Sequence, residues 1–78
     1  MWFVYLLRCG DGSLYCGVTN DLPARLAAHA SGRGAKYTRG RGPFELVYSR
    51  RVRGKSRAQR LEAKIKALSR EQKLALIA

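Results

Sequence analysis

Two tyrosines ten residues apart, an arginine and the only histidine four apart, and a glutamate on a later helix are the residues here whose types and spacing suit chemistry. Tyr5 stands in Phe3-Val4-Tyr5 and Tyr15 in Tyr15-Cys16-Gly17, each within a run of β-forming residues, so one hairpin can set the two phenols side by side. Arg25 and His29 are spaced to share one helical stripe beside an apolar ridge. Glu62 falls at the edge of another such stripe. Phenol, guanidinium, imidazole and carboxylate form the skeleton of an active site, a set able to hold an anion and move a proton beside it. Taken singly they have plainer readings: strand aromatics for the tyrosines, a solvated helix face for His29, and for Glu62 a surface pair with Lys66. Arg25 is the exception, and order and spacing together carry the functional reading.

These groups meet only if the elements that carry them do. Trp2 to Cys9 is almost continuously apolar, as expected of a central strand covered on both faces. Gly10-Asp11-Gly12 reads as a three-residue hairpin loop with glycine at the left-handed position, and Leu14 to Thr19 as the returning strand. With that loop, Tyr5 lies opposite Gly17 and Leu7 opposite Tyr15, so both phenols share a face; a loop one residue longer or shorter would separate them. The missing side chain of Gly17 is expected to leave space opposite Tyr5 for a ligand backbone or a water.

Asn20 or Asp21 can cap a helix with Pro23 in its first turn and Leu22, Leu26 and Ala30 along one ridge, ending near Gly32. Ser31 to Pro43 reads as a flexible basic loop. Phe44 to Val52 resumes a strand, with Phe44, Leu46 and Tyr48 alternating with Glu45, Val47 and Ser49 to give one better-buried face. Ser56 and Gln59 form a capping-box signature ahead of the stripe Ala58, Leu61, Ile65 and Leu68; Ser69 and Gln72 repeat it before a last short helix packing Leu74 and Ile77. The prediction is one α+β domain over residues 1–78, a three-stranded antiparallel sheet flanked by helices in the order strand, strand, helix, strand, helix, helix.

Sixteen basic residues against five acidic ones leave a net charge of +11, which opposes compaction unless a polyanion neutralises it. Ten of the cations fall between Arg33 and Arg60, where Glu45 is the only acid, so this stretch is the expected docking surface. Eleven of the sixteen are arginine, whose planar fork suits phosphate oxygens. A solvated cationic face, or a ribosome-associated or membrane-surface protein, would carry a similar charge. Lys36, Arg39 and Arg41 read as phosphate contacts on the glycine-rich loop, with a solvated loop as the alternative; Tyr37 and Tyr48 are candidates to stack on a base, with core packing the alternative for Tyr48. Cys9 and Cys16 fit neither a zinc ribbon nor a redox pair and read as small sheet residues. The apolar opening is interrupted at Arg8 and lacks a signal-peptide pattern, so the protein is expected to be cytoplasmic, with no membrane partner.

The order Phe3-Val4-Tyr5, Tyr15-Cys16-Gly17, Thr19-Asn20, Arg25, His29 and Glu62 resembles the GIY-YIG nuclease domain over essentially the whole chain. Gly34-Ala35-Lys36-Tyr37-Thr38, Arg39-Gly40-Arg41-Gly42-Pro43 and Glu45-Leu46-Val47-Tyr48 look like the small stand-alone members. The resemblance implies metal-dependent hydrolysis of DNA phosphodiesters, with one divalent ion, magnesium or manganese, held by Glu62. It implies Tyr5 as the activator of the attacking water, Tyr15 as a positioner of the phosphate, and Arg25 as the ligand of a phosphate or departing oxygen. Histidine or tyrosine occupies the His29 position in such proteins, which leaves the direction of its proton transfer open. Two departures, Phe3-Val4 in the first motif and Cys16 in the second, lie where packing decides. A third, Val18, stands where some repair members carry lysine. The alternative is a module that binds DNA or structured RNA and cuts poorly or not at all, with a partner protein supplying specificity; the oligomeric state is not indicated.

Overall fold

The computed structural model describes residues 1–77. Two strands, β1 (Trp2–Arg8) and β2 (Leu14–Thr19), are followed by helix α1 (Leu22–Ala30). Strand β3 (Glu45–Val52) and helices α2 (Lys55–Lys66) and α3 (Arg70–Ile77) complete the α+β order expected. The sheet is antiparallel with strand order β2-β1-β3. The apolar run therefore forms the central strand, and Val4 to Leu7 are all 0% exposed.

The hairpin register is the one its loop length predicts. Gly12 has φ +85°, the left-handed conformation glycine tolerates, and Tyr5 pairs with Gly17 and Leu7 with Tyr15. Phe3, Tyr5, Leu7, Tyr15 and Gly17 consequently share one face, and Val4, Leu6, Cys16 and Val18 the other. The second face is the core: Val4, Leu6 and Cys16 pack on Ala58 and Ile65 of α2, sealed by Trp2, Val18, Val47, Tyr48, Val52, Leu61 and Ile77. The first face receives α1. Asp21 caps that helix, its Oδ1 accepting from the Ala24 amide at 3.1 Å, and Pro23 sits in its first turn.

Four local expectations are corrected. In β3, Tyr48 lies opposite Leu6 but Leu46 opposite Leu7, so Val47 is a bulge that turns Leu46 and Tyr48 to different faces. The strict alternation expected there fails, and Leu46 is left exposed. Helix α2 begins after Gly54, whose φ of +83° takes the chain straight from the strand into the helix; Ser56 is thus inside the first turn, not at the cap. At α3 the capping box does form: the Ser69 amide donates to Gln72 Oε1 at 2.9 Å and the Gln72 amide to Ser69 Oγ at 3.1 Å. Of the two residues expected to pack from α3, Ile77 reaches the core and Leu74 stays exposed. The basic stretch 31–43 is folded onto the site face through a 3-10 turn, Lys36–Thr38, with Thr38 2% exposed. No helix among the described residues is long and apolar enough to cross a membrane.

Candidate active site

Four of the five predicted site side chains converge on the first face of the sheet. β1 supplies Tyr5, β2 supplies Tyr15, and α1 lays Arg25 and His29 across them. The Tyr5 hydroxyl is 2.8 Å from His29 Nε2, with Tyr5 0% and His29 1% exposed. The Tyr15 and His29 rings meet edge-on with centroids 5.3 Å apart, and the two tyrosine rings lie 6.4 Å apart, tilted. Arg25 is near both phenol oxygens, and its guanidinium is held more firmly charged chiefly by Tyr5.

Glycine makes this closeness possible at two places. A side-chain carbon at Gly17 would collide with Tyr5 Oη and Cζ, because the phenol lies over the glycine. The space expected there for a ligand or water is filled by Tyr5 itself, a correction that makes Gly17 a seat for the ring. A carbon at Gly34 would likewise run into the His29 ring, so the 31–43 segment passes His29 at backbone distance.

A fifth member of this cluster, Thr38, is one that sequence reasoning missed. His29 Nδ1 is 2.9 Å from Thr38 Oγ1, and the Thr38 hydroxyl is 2.8 Å from the Ala35 carbonyl oxygen. Tyr37 stacks on Tyr15 with centroids 5.7 Å apart and an interplanar angle of 26°. The Arg41 guanidinium sits 4.4 Å over the Tyr37 ring and pairs with Asp11 in the hairpin loop. The Gly10 amide also donates to the Arg41 carbonyl. Arg41 thus clamps the basic segment to the β1–β2 turn, while Lys36 and Arg39 point from it exposed. The quoted run Gly34 to Thr38 was the available signal, but nothing local marks Thr38 as a partner of a histidine nine residues earlier.

Burial sets the proton affinities. It pushes the Tyr5 phenol up to about 12, against the opposing pull of Arg25. It also lowers the His29 imidazole below its usual value, with the Arg25 charge acting in the same direction. The resting pair is a protonated phenol beside a neutral imidazole.

Glu62 stands apart from these four. It is on α2, which packs on the other face, and its backbone carbonyl is 4.0 Å from Cys16 Sγ. Its carboxylate lies 3.5 Å from Lys66, with 19% of the side chain exposed, so the plainer surface-pair reading describes its present contact. Burial, and then the nearby Glu62 charge, push the Cys16 thiol up to about 11. Glu62 therefore reaches the sheet at β2, where Cys16 adjoins both Tyr15 and Gly17. Among the described residues no three His, Cys, Asp or Glu side chains form a metal-binding group. One accessible carboxylate still fits magnesium or manganese, which take hard oxygen ligands and, in the case of magnesium, retain several waters. It does not fit a structural zinc site.

Two groups of cations stand out around the fold. Lys36 and Arg39 flank Thr38 on the site face, whereas Arg50, Arg51, Arg53, Arg57 and Lys64 line a cleft of ≈ 460 Å³ along β3 and α2. Among the described residues, none of these seven pairs with a carboxylate.

The chain has counterparts among known proteins. The family model of the GIY-YIG catalytic domain matches residues 1–75. A UPF0213 protein of Nitratidesulfovibrio vulgaris is 56% identical over 78 residues, covering 100% of this chain and 71% of the relative. One of Vibrio cholerae is 59% identical, covering 99% and 77%. The solution NMR structure of a UPF0213 protein from Bacillus halodurans superposes with a TM-score of 0.63 at 51% identity, over 99% of this chain and 83% of that one. With the tyrosine motifs, the arginine–histidine stripe and the fold in agreement with that match, the chain belongs to the GIY-YIG catalytic-domain family.

Proposed function

We propose that the protein is an endonuclease that hydrolyses phosphodiester bonds in DNA with the help of one divalent metal ion. The observation that carries this reading is the buried 2.8 Å contact between Tyr5 and the neutral His29, an acid–base pair beside the fixed charge of Arg25. Tyr5 receives a proton from the attacking water as its own proton passes to His29 Nε2. A phenol held near 12 is a poor base alone; a neutral imidazole in hydrogen-bond contact supplies the missing acceptor. Arg25 binds a non-bridging phosphate oxygen and holds the phosphorus in line with that water. Tyr15, half-buried, edge-on to His29 and stacked on Tyr37, orients the phosphate through its hydroxyl. Glu62 would hold the ion, which when bound offsets phosphodiester charge and stabilises the departing oxygen.

Lys36 and Arg39, without a carboxylate partner among the described residues and next to the site, contact the DNA backbone. The cleft cations on β3 and α2 extend the same electrostatic attraction along the domain.

A second reading, a module that binds DNA or RNA without cutting it, is favoured by one feature: Glu62 rests on Lys66, not on the tyrosine cluster. The two readings separate in a nicking assay on plasmid and branched DNA in magnesium. An endonuclease loses at least about a hundredfold in rate on Glu62→Ala while DNA binding persists. Equal cleavage by the variant and the parent protein would assign the activity to a contaminant and leave the binding module.

A further inference from the structure

We propose that Thr38 is a positioning residue for the acid–base pair: its hydroxyl holds His29 as the Nδ1–H tautomer and so leaves the Nε2 lone pair facing Tyr5. The inference deepens the nuclease reading and rests on it for its kinetic consequence, but the tautomer itself follows from hydrogen-bond accounting alone. A threonine hydroxyl has one proton, and a carbonyl oxygen has none. The Ala35 carbonyl lies 2.8 Å from Thr38 Oγ1 and also accepts from the Thr38 amide; we assign the hydroxyl proton to it because the buried Tyr5 hydroxyl needs Nε2 as its acceptor. His29 Nδ1, 2.9 Å from the same oxygen, must then be the donor. A neutral imidazole carries only one N–H, so Nε2 is bare and accepts from the Tyr5 hydroxyl at 2.8 Å. The chain of donation is complete, from Tyr5 through His29 and Thr38 to the Ala35 backbone. Its side chains are at most 2% exposed, and none of their buried polar atoms lacks a partner.

The choice of a hydroxyl has a chemical consequence. A carboxylate on Nδ1 would stabilise the imidazolium and raise the basicity of the ring; a neutral hydroxyl whose O–H already donates to the Ala35 carbonyl orients the ring without adding charge. The titratable and charged groups facing His29 are Tyr5 from β1, Tyr15 from β2 and Arg25 from its own helix; the other neighbours are Gly34, Thr38 and Phe44. None is acidic. His29 is therefore built to take the Tyr5 proton briefly and return it. Thr38 rides on the 3-10 turn that also carries Lys36, with Arg39 at its end, so the segment that meets the nucleic acid is also the one that orients the base.

Because His29 is the only histidine, the protein has a single imidazole and its nitrogen spectrum needs no assignment. In the 15N-labelled full chain at neutral pH, the two-bond proton–nitrogen correlation is expected to show the proton on Nδ1. Thr38→Val, which keeps the shape and removes the hydroxyl, is expected to shift the ring towards the Nε2–H form. It should also lower kcat for plasmid nicking by at least about tenfold with KM little changed. Thr38→Ser is expected to restore both. A wild-type imidazole protonated on Nε2 overturns the proposal, as does a Thr38→Val protein that keeps the Nδ1–H form and the parent kcat. If Thr38→Val does not fold, judged by its amide spectrum and melting curve, the wild-type tautomer and Thr38→Ser decide. If the wild-type protein cuts no DNA, the nuclease reading falls, and the imidazole spectra of wild type and Thr38→Val alone uphold or overturn the role of Thr38.

Discussion

Gly17→Ala tests the geometry of the site more directly than any deletion of a catalytic group, because one methyl group is aimed at one hydrogen bond. A carbon built at Gly17 falls on Tyr5 Oη and Cζ and within 3.0 Å of Tyr15 Cε2. The backbone has little freedom to retreat: Gly17 is paired with Tyr5 itself, and β1 is fastened on its other edge by β3. The phenol must swing away, which breaks its 2.8 Å contact and strands a buried hydroxyl and a buried imidazole nitrogen. Overpacking costs about 1–3 kcal/mol. Each buried polar group left without a partner adds about 1–3 kcal/mol. Allowing for partial relaxation, the loss should be about 2–5 kcal/mol, enough to lower the melting midpoint of a domain this size by at least about 10 °C. The same substitution at Gly12 supplies the control, since a carbon there meets nothing within 4 Å and pays only for φ +85°, a strain of about 1–2 kcal/mol. Urea denaturation and thermal melting of the two variants, with the His29 imidazole spectrum read alongside, give the comparison. Gly17→Ala should be the less stable of the two and lose the Tyr5–His29 contact. If Gly17→Ala melts with the wild type, or if Gly12→Ala is the more damaging, the account of Gly17 as the seat of Tyr5 is refuted.

Three further outcomes are expected. His29 is held neutral below its ordinary value of 6.5, so between that value and its folded value the unfolded chain binds the extra proton. Stability should therefore decline as pH falls below about 6.5 and level off once the folded imidazole titrates, a slope that urea midpoints would reveal and that His29→Gln should flatten. Reversing charge at Lys36 and Arg39 should reduce the salt dependence of DNA affinity by roughly one unit of logarithmic slope per lost phosphate contact. Arg41→Ala should instead loosen the 31–43 segment, raising amide exchange around Tyr37; an equal change of salt slope for Arg41→Ala would make Arg41 a phosphate ligand and not a clamp.

Much of the scaffold was legible from residues close together in the chain. Gly10 to Gly12 set the length of the hairpin loop, and loop length sets register, so the facing of Tyr5, Tyr15 and Gly17 followed from counting. Asp21 before Pro23, and Ser69 before Gln72, marked helix starts because a side-chain oxygen within three residues can satisfy a free amide. Where the reading failed, the deciding contact came from elsewhere. The bulge at Val47 depends on how β3 accommodates Leu6 and Leu7. Ser56 lost its capping role because Gly54 turned the chain first.

The sequence by itself thus determined which side chains face the same side of the sheet and which share a helical stripe, since periodicity and turn chemistry are local properties of the chain. The tertiary structure alone decided what those side chains touch. It filled the space above Gly17 with the Tyr5 ring, tied Arg41 to Asp11 across 30 positions, and set Thr38 against His29 to choose its tautomer. A buried proton has to find its acceptor among whatever groups packing brings within hydrogen-bond reach, and that neighbourhood exists only once β1, α1 and the 31–43 segment have come together.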